Sequence, residues 1–399
     1  MRFPEFTGEW EVKKLGEIAE FKAGYAFKSE DMLSEKSNYQ LLKMSNVYQS
    51  ELRLDRNPSY WEKINDKEKE FLLKKGDSIL TLTGTVGKRD FGYSVMIKDD
   101  NKYLLNQRLV LLREKKGKSI NGFINQILSN ERFLFYFFGE AKGGTGNQTN
   151  LGTEDVKNIQ LNFPSISEQQ KIAYFLSLID DRIQTQSKII GELKVIKSTV
   201  SKKIFSQQLR FENDWKNNFS DWEIKKMSDV CEIVMGQSPS SISYNTEEIG
   251  VPLIQGNADI LNRITSPRNW TTEMTKECIV GDLILTVRAP VGAVAKSVHN
   301  ACIGRGVCVI RSNSDNSIEF MYQFLLDYED KWNKLEQGST FTAVSGNEIK
   351  KLEISIPSVE EQIKIANFLF FIDEKIETER MLLKQFENQK KYLLSNLFI

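Results

Sequence analysis

Ten apolar-biased positions spaced alternately by four and three residues run from residue 172 to residue 204: Ile172, Leu176, Ile179, Ile183, Gln186, Ile190, Leu193, Lys197, Val200 and Ile204. Adding 193 to each gives Ile365, Leu369, Ile372, Ile376, Glu379, Leu383, Phe386, Lys390, Leu393 and Leu397, with the polar interruptions at the same places. A seam of period 3.5 held over about five heptads predicts a coiled coil, since a lone helix on a globule carries a broader stripe of period 3.6. At 1.5 Å per residue, some forty residues make a rod of roughly 60 Å. Shorter runs such as "DSILTL", "RLVLLR", "LILTV" and "VCVIR" are β-branched and aliphatic, bounded by Gly and Asn, and predict buried strands. "NGFINQILSNERFLFYFF" and "IEFMYQFLLDYEDKWNKL" carry helical spacing and predict one amphipathic helix each. The Gly-, Thr- and Asn-rich "GGTGNQTNLG" and "GSTFTAVSG" that follow predict exposed loops.

The pattern occurs twice. "WEVKKLGEIAEFKAG" returns as "WEIKKMSDVCEIVMG", "GDSILTLTGTVGK" as "GDLILTVRAPVGA", and Arg2-Phe3 as Arg210-Phe211. "FPSISEQQKIAYFLSLIDDRI" returns as "IPSVEEQIKIANFLFFIDEKI". The expected fold class is α+β: two tandem mixed α/β modules, 1–163 and 210–356, each followed by a long helix, 164–209 and 357–399. The helices are expected to pair as an antiparallel coiled coil with pseudo-two-fold symmetry. Facing residue numbers then have a constant sum. A sum of 576 sets Lys197 against Glu379, and Ile183, Ile190 and Ile204 against Leu393, Phe386 and Ile372. A sum of 569 aligns the rod ends but opposes Lys390 to Ile179 and Glu379 to Ile190. The cost of burying a charge against an aliphatic chain favours 576.

Composition narrows the function. The start "MRFPEFTGEW" does not read as a signal peptide, no apolar run approaches the roughly 18 residues of a membrane span, and a cytoplasmic location is expected. Four cysteines without a Cys-x-x-Cys pair are expected to be buried thiols. His299 is the only histidine, which argues against metal sites and His-based nucleophilic catalysis. Lys plus Arg equals Asp plus Glu at 54 each, so net charge does not announce nucleic acid.

The doubled frame resembles the specificity subunit of type I restriction–modification systems. The residues that carry the likeness are "WEVKKLGEI" and "WEIKKMSDV", the Gly-Asp-x-Ile-Leu strands with their trailing Val-Gly, and "PSISEQQKIA" and "PSVEEQIKIA". The resemblance implies two target-recognition domains, each reading one half of a split, asymmetric sequence in double-stranded DNA. It implies helices that serve as spacer and docking surface for two methyltransferase subunits, with restriction/translocase subunits joining. The chain itself is then no enzyme and holds no cofactor. S-adenosylmethionine, ATP and Mg belong to the partners, as do adenine methylation and ATP-driven cleavage.

Other motifs carry less. "NPSYW" is near a methyltransferase Asn-Pro-Pro-Tyr motif, but its third residue is Ser and its counterpart "SPRNW" loses the Tyr, so a structural turn is expected. "GTVGK" lacks the spacing of a phosphate loop and faces "APVGA" in the second copy. Asp180-Asp181 reads as a solvated helix face. Frame segments repeat while the stretches between them diverge, as two half-site readers on one frame should. Candidate base readers are therefore polar residues of the divergent stretches: Lys43, Asn46, Tyr48, Gln49, Lys88, Arg89, Asn106, Gln107, Gln148 and Asn150 in the first module. The second offers Gln237, Gln255, Asn257, Arg288, Arg305, Thr340 and Thr342. The competing reading is a two-module protein adaptor that never touches DNA.

Overall fold

The computed structural model describes residues 2–48, 51–140, 142–143, 148–313, 315–338 and 343–398. They form two compact units, Met1–Ser187 with Met381–Ile399, and Lys188–Arg380. Both long helices are continuous, Ile166–Phe205 and Val359–Leu397, so each unit holds part of both.

In the first unit Glu11–Lys14 pairs antiparallel with Gln160–Phe163. The main sheet runs Ala19–Ala23, Leu109–Glu114, Ser78–Thr81 and Ser94–Met96, antiparallel throughout. A second sheet sets Tyr103–Leu105 parallel to Tyr39–Leu42, which pairs with Tyr60–Trp61. The expected single helix is two, Asn121–Leu128 and Glu131–Glu140. The break falls at Ser129-Asn130, where the Asn130 side-chain oxygen accepts the Arg132 amide at 2.8 Å. A local side-chain bond of this kind competes with the helical ladder. Phe123, Ile127, Phe133 and Phe137 cover Leu80, Val110 and Leu112 of the main sheet.

The second unit repeats the plan with Glu223–Lys226 on Glu353–Ile356. Its main sheet opens Cys231–Met235, Val307–Ser312, Leu283–Thr286 and Val294–Lys296. Its second sheet centres on Val251–Ile254, parallel to Ala301–Ile303. Here the module helix is single, Ile318–Gly338. All four cysteines are buried and free, and burial pushes the Cys231 and Cys308 thiols up to about 12.

The repeated motifs are repeated bonds. In each Gly-Asp-x-Ile-Leu strand the glycine has positive φ, +93° at Gly76 and +97° at Gly281, a conformation that favours glycine. The buried aspartate beside it takes a two-pronged arginine. Arg113 donates to Asp77 at 2.7 and 2.7 Å, and Arg311 to Asp282 at 2.8 and 2.7 Å. Those bonds hold both guanidiniums further toward the charged form than usual. At the long-helix starts, Arg2 grips Glu168 at 2.8 and 2.7 Å, and Arg210 grips Glu361 at 2.8 and 2.8 Å. The next residue, Gln169 or Gln362, donates its amide to Pro164 or Pro357 at 3.0 Å. The Pro-Ser-x-x-Glu-Gln sentence therefore anchors the lead-in and starts the helix.

The helix seam is where expected, and its register is not. All twenty seam positions are buried or half-buried. In the first unit Lys390 meets Asp180 at 2.6 Å; in the second Lys197 meets Asp373 at 2.6 Å. Both pairs have residue numbers summing to 570, one more than the seam sum of 569, so the helices run antiparallel in the 569 register, one heptad away from 576. Asp180 and Asp373 are themselves 193 residues apart, as are Lys197 and Lys390. Each seam lysine turns to the aspartate one residue past the opposing isoleucine, so the expected cost of a charge against an aliphatic chain does not arise. Glu379 likewise pairs with Lys375 on its own helix rather than with Lys197. The aspartates also receive a glutamine from each module helix, Gln126 at 2.9 Å and Gln323 at 3.1 Å. Asp180 is thus a paired, half-buried residue of the interface, while Asp181 is exposed as expected.

Candidate nucleic-acid interface

Matching hydrogen bonds define one loop edge in both modules. Gly24 donates to Leu109 and Tyr25 to Leu105; Gly236 donates to Val307 and Gln237 to Ile303. Asn106 donates to Leu42 as Gly304 does to Ile254. An added Cβ would meet the Asn106 carbonyl 1.9 Å from Gly24, or the Gly304 carbonyl 2.1 Å from Gly236, so only glycine lets these strands approach. The same scaffold therefore presents Tyr25, Lys43 and Gln107 in the first module where the second presents Gln237, Gln255 and Arg305. Arg305 is exposed, and its amide and Nε donate to Ser238 Oγ at 3.1 and 3.3 Å. Gln237 and Asn257 are exposed and Gln255 is half-buried. Asn257 lines an open cleft of about 670 Å³ with Asn262, Arg263, Glu329 and Arg380.

Two candidates turn inward. Asn46 is fully buried: its Oδ1 accepts the Lys43 amide at 2.9 Å, and its Nδ2 donates to the Arg53 and Arg56 carbonyls at 2.9 and 2.8 Å. With every group spent on holding the hairpin, Asn46 has none for a base edge. Asn106 is also buried, its Oδ1 accepting the Gln107 amide. Lys43 is half-buried, with Nζ on Ser59 Oγ at 2.8 Å, and "NPSYW" is part bend, with Asn57 at positive φ, and part strand, Tyr60–Trp61, rather than a turn throughout. Gln49, Thr340, Thr342 and the Gln148 side chain lie outside the described residues.

Lys88 and Arg89 are exposed on the turn after Thr83–Thr85, which pairs with Gln148–Asn150, so exposed Asn150 lies on the neighbouring strand. Asp90 closes that turn, accepting the Thr85 amide and hydroxyl at 2.8 and 2.6 Å, bonds that lower its pKa. The turn's glycine is also re-aligned. Gly92 donates to Thr81 as Gly292 does to Thr286, and the hydroxyls of Thr81 and Thr286 accept the amides of Tyr93 and Ala293. Gly92, not Gly87, is the partner of Gly292, and the first module's turn is the longer. Exposed Arg288 bridges to Ala343 in the second.

The sequence profile of the type I restriction modification DNA specificity domain matches residues 7–195 and again 219–388. The chain belongs to this family. Within it, a protein assigned as the MjaX type I restriction enzyme specificity subunit of Methanocaldococcus jannaschii is 29% identical over 404 residues, covering 98% of this chain and 93% of the relative. The MjaVIII specificity subunit of the same organism is 25% identical, covering 100% and 93%. The type I restriction–modification S subunit structure from M. genitalium has the same fold, with a TM-score of 0.62 at 16% identity over 100% of this chain and 97% of that one. In this specificity-family frame, the shared loop edge carries different side chains in the two modules.

Tyr48 was among the sequence candidates; Tyr25, Arg53, Arg56 and Tyr93 were not. Tyr48, on the hairpin Val47–Tyr48 with Glu51–Leu52, has the Arg53 and Arg56 guanidiniums 4.7 and 5.5 Å from its ring centre. Its ring meets Tyr93 edge-on at 5.4 Å, and the Tyr93 hydroxyl donates to the Arg89 carbonyl at 3.2 Å. A charge count by module would have pointed here. Residues 1–163 carry 26 Lys and Arg against 23 Asp and Glu, a net of +3; residues 210–356 carry 15 against 20, a net of −5.

Proposed function

We propose that the chain is the DNA sequence-specificity subunit of a type I restriction–modification complex, reading a bipartite, asymmetric duplex target with one module per half. The observation that carries this is the shared loop edge. One hydrogen-bonded scaffold presents Tyr25, Lys43 and Gln107 in one copy and Gln237, Gln255 and Arg305 in the other, donor-rich sets suited to different base edges. The long helices space the modules and dock two methyltransferase subunits; restriction/translocase subunits complete the assembly. S-adenosylmethionine, ATP and Mg, and the chemistry of methylation and cleavage, are assigned to those partners. An adenine extruded from the stack is then methylated at a place this chain selects.

The test is duplex binding by the chain with its methyltransferase subunits, on the sequence found methylated in host genomic DNA and on duplexes altered in either half. Salt-dependent binding that discriminates both halves is the expected result. Equal binding to all duplexes, or none, rejects the reading in favour of a protein adaptor.

A further inference from the structure

The two modules build the same hairpin and give its charges different fates. In the first, Asn46 accepts the Lys43 amide and its carbonyl accepts the Arg53 amide at 2.7 Å. In the second, Asp259 accepts the Gln255 amide and its carbonyl accepts the Ser266 amide at 2.7 Å. The same position is therefore neutral in one copy and acidic in the other. Asp259 takes Arg268 Nε at 3.1 Å, and Arg263 is held by Glu329. Lys296 and Arg311 are likewise paired within the second unit. In the first module the hairpin arginines lie over Tyr48; Arg53 reaches only the exposed Glu51, at 3.2 Å, and Arg56 has no carboxylate against it among the described residues. Exposed Lys88 and Arg89 adjoin through the Arg89 carbonyl, which accepts the Tyr93 hydroxyl, while the Arg89 guanidinium lies 5.1 Å from the centre of the Phe138 ring.

We propose that the modules divide the work on DNA: the first grips the phosphodiester backbone through Arg53, Arg56, Lys88 and Arg89 around the Tyr48–Tyr93 pair, while the second reads its half-site with little electrostatic hold. Guanidiniums held on an aromatic face keep their charge and their donors while losing rotamer freedom, which suits phosphate contact. A second module of net negative charge depends on that grip. The inference rests on the DNA reading above, and extends it to where affinity resides.

Counterion release provides the readout. Each phosphate contact contributes about 0.9 to the slope of log K against log salt. In the full chain with its methyltransferase subunits, Arg53→Ala/Arg56→Ala should lower that slope by about 1.8, equally on the target and on duplexes altered in either half. Arg53→Lys/Arg56→Lys should keep the slope, which separates charge from hairpin folding. Arg288→Ala/Arg305→Ala, removing exposed second-module cations, should cost half-site discrimination with a smaller slope change. The proposal is overturned if the first pair leaves the slope intact, if the second pair lowers it as much, or if losing Arg53 and Arg56 abolishes discrimination at one half-site alone. Failure of the unaltered complex to bind DNA would instead overturn the functional reading.

Discussion

The two modules can be compared bond by bond, because the same ion pairs recur in both at lengths of 2.6–2.8 Å. Arg113–Asp77 matches Arg311–Asp282, Arg2–Glu168 matches Arg210–Glu361, and Lys390–Asp180 matches Lys197–Asp373. What differs sits at the ends of those bonds. Glu361 also accepts the Trp222 indole at 3.1 Å, while the buried Trp10 indole nitrogen has no hydrogen-bond partner among the described residues. Asn130 donates to the Leu394 carbonyl at 2.7 Å, and at the matching place Asp327 accepts the Ser201 hydroxyl at 3.2 Å. On the matching hairpins, charge is paired inward in the second module, Arg268 with Asp259 and Arg263 with Glu329, while in the first Arg53 and Arg56 lie over Tyr48. A frame fixed by buried ion pairs lets the exposed edge vary without endangering the fold.

Exchanging a module breaks the comparison most sharply. Replacing residues 24–162 with the corresponding segment of a relative should rewrite one half of the methylated sequence and leave the other, as sequencing of modified adenines will show. Each mismatched base pair typically costs about 1–3 kcal/mol, so several changed positions remove the old target entirely. A change in both halves would mean that the modules do not read independently.

Next in size is the buried glutamate at each helix start. Glu361→Ala strands Arg210 and the Trp222 indole, and a loss of about 3–5 kcal/mol in urea unfolding is expected. Glu168→Ala strands only Arg2 and should cost less, by roughly the 1.5–3 kcal/mol of one hydrogen bond to a charge. Equal losses would show that the indole bond adds nothing.

The helix pairs should behave alike. Lys197→Met and Lys390→Met each remove a half-buried cation from an aspartate that keeps its glutamine, Gln323 or Gln126. Both are expected to shift stability by about 1–2 kcal/mol, and to within a few tenths of each other.

The smallest effect tests Asp327. Burial, the largest influence on it, raises its pKa, while the Ser201 bond lowers it. The folded chain thus holds this proton more tightly than the unfolded chain. The stability it contributes is complete below the unfolded pKa and is lost as pH rises through the raised folded pKa. Asp327→Asn, which copies Asn130, should therefore stabilise at neutral pH by less than about 1 kcal/mol. The gain should fade in acid as the native carboxyl protonates; a gain independent of pH would rule out titration as its cause.

The doubled frame was legible in the sequence because each repeated motif is short and its defining residues sit within a few positions of one another. Gly-Asp needs its positive-φ glycine and buried carboxylate in adjacent residues, and Pro-Ser-x-x-Glu-Gln needs its helix start within six. The seam was legible as well, since its period is local. Which heptad faces which was decided only in three dimensions, by Asp180 and Asp373, residues just off the seam that a count of facing positions leaves out. The candidate interface divided the same way. Divergence between copies picked out the loop edge, yet it could not tell Asn46, whose amide holds the hairpin, from a residue free to meet a base. Nor could it align Gly92 with Gly292 across a turn of unequal length. Tyr48, Arg53, Arg56 and Tyr93 are spread over some forty-five residues, and only the folded hairpin gathers them. Periodicity and repetition are properties of the chain; hydrogen-bond satisfaction and charge pairing belong to neighbours that only the fold brings together.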